Sequence, residues 1–293
     1  MENKNNMNHV GEFGNLNISS LLGFDNQIAY EAKKGQKNFN ITLLGFKNCL
    51  HENYVEGIYE LTKLGKINLN DIEKLYNGLM NNCNANHKSV LGSTSDLFDQ
   101  FLKNEKEKIL KCKTFEELRL LWKEYYDKVC PGAIHKAAKK MRARRKEEDL
   151  IRHETEKYFP ILPEEAYEET EKACYDYVAH LVYFNSPRGF VIERIILVLL
   201  STLSGLEWKK STIAEEVLGI DGKLGNFDVT IKPKSFFKQK TKSEMSGSII
   251  VYEFKDDDLI IHIEDEKLWK YFYETPKNCS QTIKLNSNII SNK

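Results

Sequence analysis

From about residue 41 to residue 185, apolar side chains recur at the three- and four-residue steps of amphipathic helices. Leu43, Phe46, Leu50 and Tyr54 predict one helical stripe. Leu69, Ile72, Leu75, Tyr76 and Leu79 predict a second, capped by Asn68 or Asn70. Ser95 is placed to cap a helix carrying Leu97, Phe98, Phe101 and Leu102. Thr114, with Glu117 three residues on, reads as a capping box that opens a helix through Leu118, Leu121, Trp122 and Tyr125. Pro131-Gly132 interrupts the pattern. Pro163 and the acids behind it start another helix, through Ala173, Tyr177 and Leu181 to Phe184, and Asn185-Ser186-Pro187 is expected to stop it.

After Arg188 the pattern changes. GFVIERIILVLLSTLSGL, residues 189–206, is apolar around its whole circumference, the mark of a buried helix. Runs with strand character follow: FDVTI at 227–231, SIIVYEF at 248–254 and LIIHIE at 259–264, the last two joined by a turn at Asp256, Asp257 and Asp258. The asparagine-rich residues 1–26 hold no sustained period and are expected to form a flexible arm. The expected fold is mixed α/β, with a helix-rich N-terminal part at 27–160 and a mixed C-terminal core at 161–293. No unit repeats at a fixed period, so a solenoid is excluded.

Composition narrows the function by exclusion. With 41% hydrophobic and 11% aromatic residues in 293, the chain can bury a core, so fibrous and wholly disordered readings fall away. The apolar run Ile195–Leu206 is far short of the roughly 20 residues of a membrane span. The polar N-terminus holds no apolar run of the kind a signal peptide needs, and a cytoplasmic location is expected. Six scattered cysteines without a CxxC pair argue against a disulfide framework or a zinc module. Lys plus Arg equals Asp plus Glu at 43 each, but the charges come in blocks. Residues 133–146 hold seven bases and no acid, and residues 147–171 hold ten acids against two bases. On a helix Lys136, Lys140 and Arg144 share one face, a candidate surface for phosphates. The acidic stretch behind it reads as a connection between two parts of the molecule.

Two features of the C-terminal part point to chemistry. Glu193, with Arg194, supplies the only charge between Phe190 and Leu206, and Ile196, Leu197 and Leu200 share its side of the helix. A carboxylate there must meet a cation or donors, either Arg188 or Arg194 or a functional partner. The second feature is GIDGKLGNFDVTIKP at 219–233, in which Asp221 sits in a glycine turn before a strand. Alternation puts Asp228, Thr230 and Lys232 on one face of that strand. A turn acid followed by a strand ending in lysine suits magnesium-dependent phosphodiester hydrolysis. Lys232, Lys234, Lys238, Lys240 and Lys242 then form an acid-free run suited to a DNA backbone, with Phe236 and Phe237 anchoring it.

GIDGKLGNFDVTIKP, together with SVLGSTSDLF at 89–98 and LWKEYYDKVCPGAIHKAAKKM at 121–141, resembles the MjaI-like branch of type II restriction endonucleases, within the PD-(D/E)XK nuclease superfamily. The resemblance covers roughly residues 70–235 in order. It implies a PD-(D/E)XK-type mixed-sheet core in which Asp221 matches the metal-binding aspartate, Lys232 the catalytic lysine and Glu193 the helix acid. It implies Mg²⁺ held by Asp221 and Glu193, cleavage of double-stranded DNA at a short, palindromic site, a homodimer, and a cognate DNA methyltransferase as functional partner. The helical part would supply DNA recognition through Lys136, Lys140 and Arg144, joined by Lys234, Lys238 and Lys240. Thr230 departs from the pattern, which has Asp or Glu there. A catalytically inactive or non-specific DNA-binding or repair protein on the same core is the alternative.

Overall fold

A computed structural model describes residues 26–35, 37–46, 72, 94–238, 245–272 and 279–285. The expected arm, the Leu69–Leu79 stripe apart from Ile72, and Leu50 and Tyr54 lie outside them. The chain divides into two compact units that interleave along the sequence. The first comprises Met1–His51, Glu105–Leu118 and Val191–Lys293, and the second Glu52–Asn104 and Arg119–Phe190. Among the described residues no helix is long and apolar enough to cross a membrane.

The first unit is built on an eight-stranded mixed sheet. Its strands are β1 (Asn26–Lys34), β2 (Phe39–Leu43), β3 (Trp208–Lys210), β4 (Gly222–Leu224), β5 (Phe227–Pro233), β6 (Ser248–Lys255), β7 (Asp258–Ile263) and β8 (Cys279–Leu285). They lie in the order β3-β4-β5-β6-β7-β2-β1-β8. Only β5 and β6 run parallel; every other neighbouring pair is antiparallel. All three predicted strand runs form, as β5, β6 and β7, and Asp256 takes the turn between the last two with a positive φ of 53°.

Residues 39–43 correct the reading of a helical stripe through Leu43. Phe39, Ile41 and Leu43 alternate with Asn40 and Thr42, and this two-residue period, in a segment rich in β-branched residues, prevails over the three-residue step to Phe46. Thus β1 and β2, expected within the helical part, add two strands to the sheet.

The two faces of the sheet differ. Val229, Ile231, Ile250, Leu259, Ile261, Ile263, Ile41 and Leu43 are almost wholly buried on one face. Each contributes roughly 1.5–3 kcal/mol by leaving water. The alternate positions are mostly half-buried and include Lys232, Glu253, His262, Asn40 and Thr42.

The second unit is helical. It holds α1 (Thr94–Asn104), most of α3 (Phe115–Val129), α4 (Ala133–Thr155) and α5 (Glu164–His180); the short α2 (Lys106–Ile109) belongs to the first unit. The box before α3 forms: Glu117 N–H donates to Thr114 Oγ1 at 3.3 Å, and the Glu117 carboxylate accepts from Lys113 N–H at 2.6 Å. Ile134, Ala138 and Met141 of α4 pack on Ala173, Cys174 and Val178 of α5. Phe98 and Phe101 surround Trp122 edge-on, and the Trp122 indole donates to Val182 O at 2.8 Å.

Asn185-Ser186-Pro187 does not stop the helix. A π turn at Leu181–Asn185 leads straight into α6 (Ser186–Ser204), with Ser186 N–H donating to Leu181 O. Pro187 falls in the first turn of α6, where a missing donor costs little. The acidic stretch is likewise not a connection between the units. It is the turn into α5 and that helix's first turns, where Glu164 pairs with Arg142 and Lys146 and Glu171 with Arg142. The opposite charge blocks meet across two adjacent helices.

Candidate active site

Asp221 leaves the short α7 (Ile213–Val217), passes the left-handed Gly219, and enters β4. Its position is set by backbone: Asp221 N–H donates to Val229 O at 2.9 Å, and Asp221 Oδ2 accepts from Ile231 N–H at 2.7 Å. Lys232, on the neighbouring strand, places its ammonium 2.9 Å and 2.7 Å from the two carboxylate oxygens. Both side chains are largely sheltered, at 20% exposure for Lys232 and 15% for Asp221. Burial pushes the Asp221 carboxyl up, while Lys232 and the Ile231 N–H pull it down; the net direction is up.

Glu193 comes to the same place from α6, among the buried Val191, Ile192, Ile195 and Ile196. Burial drives its carboxyl far above the usual glutamate range, and the negative charge of Asp221 adds to the rise; Lys232 opposes it. Gly222 brings the helix close. A Cβ there would stand 2.7 Å from Leu197 Cδ1 and 3.0 Å from Lys209 O, and Leu197 lies one turn beyond Glu193. Only a bare backbone lets the strand start against this helix. The alternative ion pair with Arg194 is drawn elsewhere, since that guanidinium lies 5.1 Å from the Trp208 ring centre.

Thr230 is fully buried, and its hydroxyl lies 2.9 Å from Gly219 O and 2.8 Å from Ser246 O. The side chain ties the turn that carries Asp221 to the entry of β6. Asp228 is directed away from Asp221 and pairs with Lys223 at 3.2 Å; Lys223 also meets Glu215 at 2.6 Å. The structure therefore brings together Asp221, Lys232 and Glu193, with Thr230 bracing the turn. Lys210 and Glu216, not singled out in the sequence, form a 3.7 Å pair and bias the Glu193 charge in opposite senses. Among the described residues no group of three or more His, Cys, Asp or Glu gathers as a metal cage.

The basic positions separate into two kinds. Lys136, Lys139 and Lys140 are exposed and have no ion-pair partner among the described residues, whereas Arg144 is tied to Glu148 at 2.9 Å. Lys234 pairs with Glu253 at 2.6 Å. The Lys238 side chain and Lys240 lie outside the described residues. Phe236 and Phe237 are half-buried and meet edge-on in the 3₁₀ turn Lys234–Lys238.

A buried acid, an acid–lysine pair and a half-open polar sheet face form a site fit for hydrolysis, and comparison with known proteins places the chain among the type II restriction endonucleases. It belongs to the MjaI restriction endonuclease family, whose sequence model matches residues 73–284. It is 28% identical over 185 residues to the type II restriction enzyme MjaI of Methanocaldococcus jannaschii, covering 60% of this chain and 71% of that enzyme. It is 33% identical over 85 residues to the type II restriction enzyme MthZI of Methanothermobacter thermautotrophicus, covering 28% of this chain and 42% of that enzyme. No solved structure matches.

Proposed function

We propose that this chain hydrolyses phosphodiester bonds of double-stranded DNA with Mg²⁺ at a short palindromic site, acts as a homodimer, and works alongside a DNA methyltransferase of the same specificity. The observation that carries this reading is the Asp221–Lys232 pair beside Glu193 in a chain of the MjaI restriction endonuclease family. Burial and mutual repulsion disfavour charge on Asp221 and Glu193, and a hard divalent cation relieves both. Two carboxylates suffice for Mg²⁺, which keeps several of its waters. When bound, the ion supplies Lewis acidity and lowers the pKa of a water.

Lys232 acts from the strand next to Asp221. Its ammonium stabilises charge developing on the phosphoryl oxygens and orients the attacking water. Thr230 holds the Asp221 turn in place, and Asp228 stays with Lys223. Lys136, Lys140 and Arg144 on α4, with Lys234, Lys238 and Lys240 beyond β5, contact backbone phosphates and set register on the duplex. A palindrome is read most economically by a two-fold dimer.

The test is digestion of DNA of known sequence with Mg²⁺ and with chelator, the fragment ends being read out. Discrete fragments that disappear on chelation support the reading. A smear would make the chain a non-specific nuclease, and intact DNA would make it a binding protein on the same core.

A further inference from the structure

One row of side chains crosses the half-open face of the sheet from the candidate site. Lys232 of β5 is in register with Val251 of β6, Val251 with His262 of β7, and His262 with Asn40 of β2. Register partners point to the same side of a sheet, so all four share the face of Lys232. Glu253, two positions after Val251, shares that face too. The strand spacing of roughly 4.8 Å puts the His262 position about 10 Å from Lys232.

The polar groups in this area form one chain of contacts. His262 lies between Asn40 Oδ1, 2.7 Å from its Nδ1, and Glu253 Oε1, 3.0 Å from its Nε2. The other Glu253 oxygen accepts from Lys234 Nζ at 2.6 Å. The carboxyl of Glu253 is held low, first by the Lys234 ammonium and then by His262. Glu253 and His262 are sheltered, at 27% and 19% exposure, while Lys234 is 63% exposed. A lysine ammonium has three donors, so one bond to Glu253 leaves two directed to the open face. A surface lysine normally loses its contact geometry to side-chain motion; this one is fixed by a carboxylate that is itself fixed by a neighbouring strand.

We propose that Lys234, braced by Glu253 and His262, is the contact for a DNA backbone phosphate next to the scissile one, with Glu253 and His262 as positioning residues. The subsite rests on the functional reading above. Lys234 follows Lys232 by two residues, so one strand delivers both cations to successive phosphates of a single DNA strand. Glu253 does not compete with the phosphate for charge; it restricts where the ammonium stands.

The experiment compares wild type, Lys234→Ala, Lys234→Arg, Glu253→Gln and His262→Gln in duplex DNA binding against salt and in cleavage kinetics. Lys234→Ala is expected to lower the log–log salt slope by about one unit. It should also raise KM about three- to tenfold with kcat nearly unchanged, and Lys234→Arg should recover most of the loss. Glu253→Gln and His262→Gln should keep the slope, since the lysine remains, and still raise KM about threefold or more. Tighter binding by Glu253→Gln would overturn the proposal by showing that Glu253 merely neutralises Lys234. Wild-type cleavage with an unchanged slope and KM in Lys234→Ala would overturn the subsite alone. Wild-type protein that does not bind duplex DNA would overturn the functional reading, and the subsite with it. Should His262→Gln fail to fold, the exposed Lys234 still decides the matter.

Discussion

Replacing Glu193 by glutamine should make the metal-free protein more stable at alkaline pH and at the same time destroy its cleavage. The substitution keeps the shape of the side chain and removes its charge. Burial, reinforced by Asp221, raises the Glu193 carboxyl to about 8. A rise of that size corresponds to roughly 4–5 kcal/mol of unfavourable charging. The two carboxyls titrate together, so part of this falls on Asp221, and roughly 2–4 kcal/mol is left for the variant to recover. The sign follows from proton binding. The folded state holds the Glu193 proton more tightly than the unfolded chain, so its contribution is present at acid pH and lost as pH rises through about 8. Denaturant unfolding in chelator should show wild type and Glu193→Gln alike near about pH 4, and the variant ahead by the full amount near about pH 9. Mg²⁺-dependent cleavage should fall at least about a hundredfold, the cost of losing one charged group at such a centre. A variant no more stable than wild type at alkaline pH would refute the claim of an uncompensated buried charge. One that cuts normally would refute the role in holding the cation.

Lys232→Ala should reduce kcat by about a hundredfold to a thousandfold, about 3–4 kcal/mol, while leaving duplex binding near wild type; single-turnover cleavage beside a binding isotherm checks it. Asp228→Ala should reduce cleavage least among the acids, because that carboxylate is 44% exposed and occupied by Lys223; an inactive Asp228→Ala beside an active Asp221→Ala would move the site along the strand. Neutralising Lys136, Lys140 and Arg144 together should weaken binding to every sequence and lower the salt slope by about two units, not three, since Arg144 already meets Glu148; an unchanged slope would show that this face does not touch DNA.

What could be read from the chain follows from where each signal lies. The β5, β6 and β7 runs are legible because branched residues cluster between turn residues. The buried part of α6 is legible because one lone Glu193–Arg194 pair interrupts a continuous apolar run. Asp221 and Lys232 are legible together because a glycine turn beside a short strand leaves few places for either. Glu253 and His262 are not, since each appears as a polar step within an apolar strand, and only the register across three strands joins them to Lys234 and Asn40. The basic run of α4 is visible, but its division into paired and unpaired halves depends on acids of α5 that approach only when the two helices pack. The π turn leaves no local mark, because Asn-Ser-Pro fits a helix stop and a helix start equally well.

The departure at position 230 has a structural reason. The pattern implied by the family resemblance has an acid there, yet the two groups that meet Thr230 are both carbonyl oxygens, Gly219 O and Ser246 O. An ionised carboxylate has only acceptors to offer and would face two acceptors in a fully buried position, at a cost of several kcal/mol. A hydroxyl supplies the donor this backbone requires. The consequence reaches the metal: Asp221 and Glu193 carry two negative charges against one Lys232, so a divalent cation meets a net charge of minus one instead of minus two. The ion is then held more loosely by protein and more by the DNA phosphate, which couples its retention to substrate. Lys232 on both oxygens of Asp221 is the form in which the site waits, with the acid neutralised by the residue that the incoming phosphate draws away.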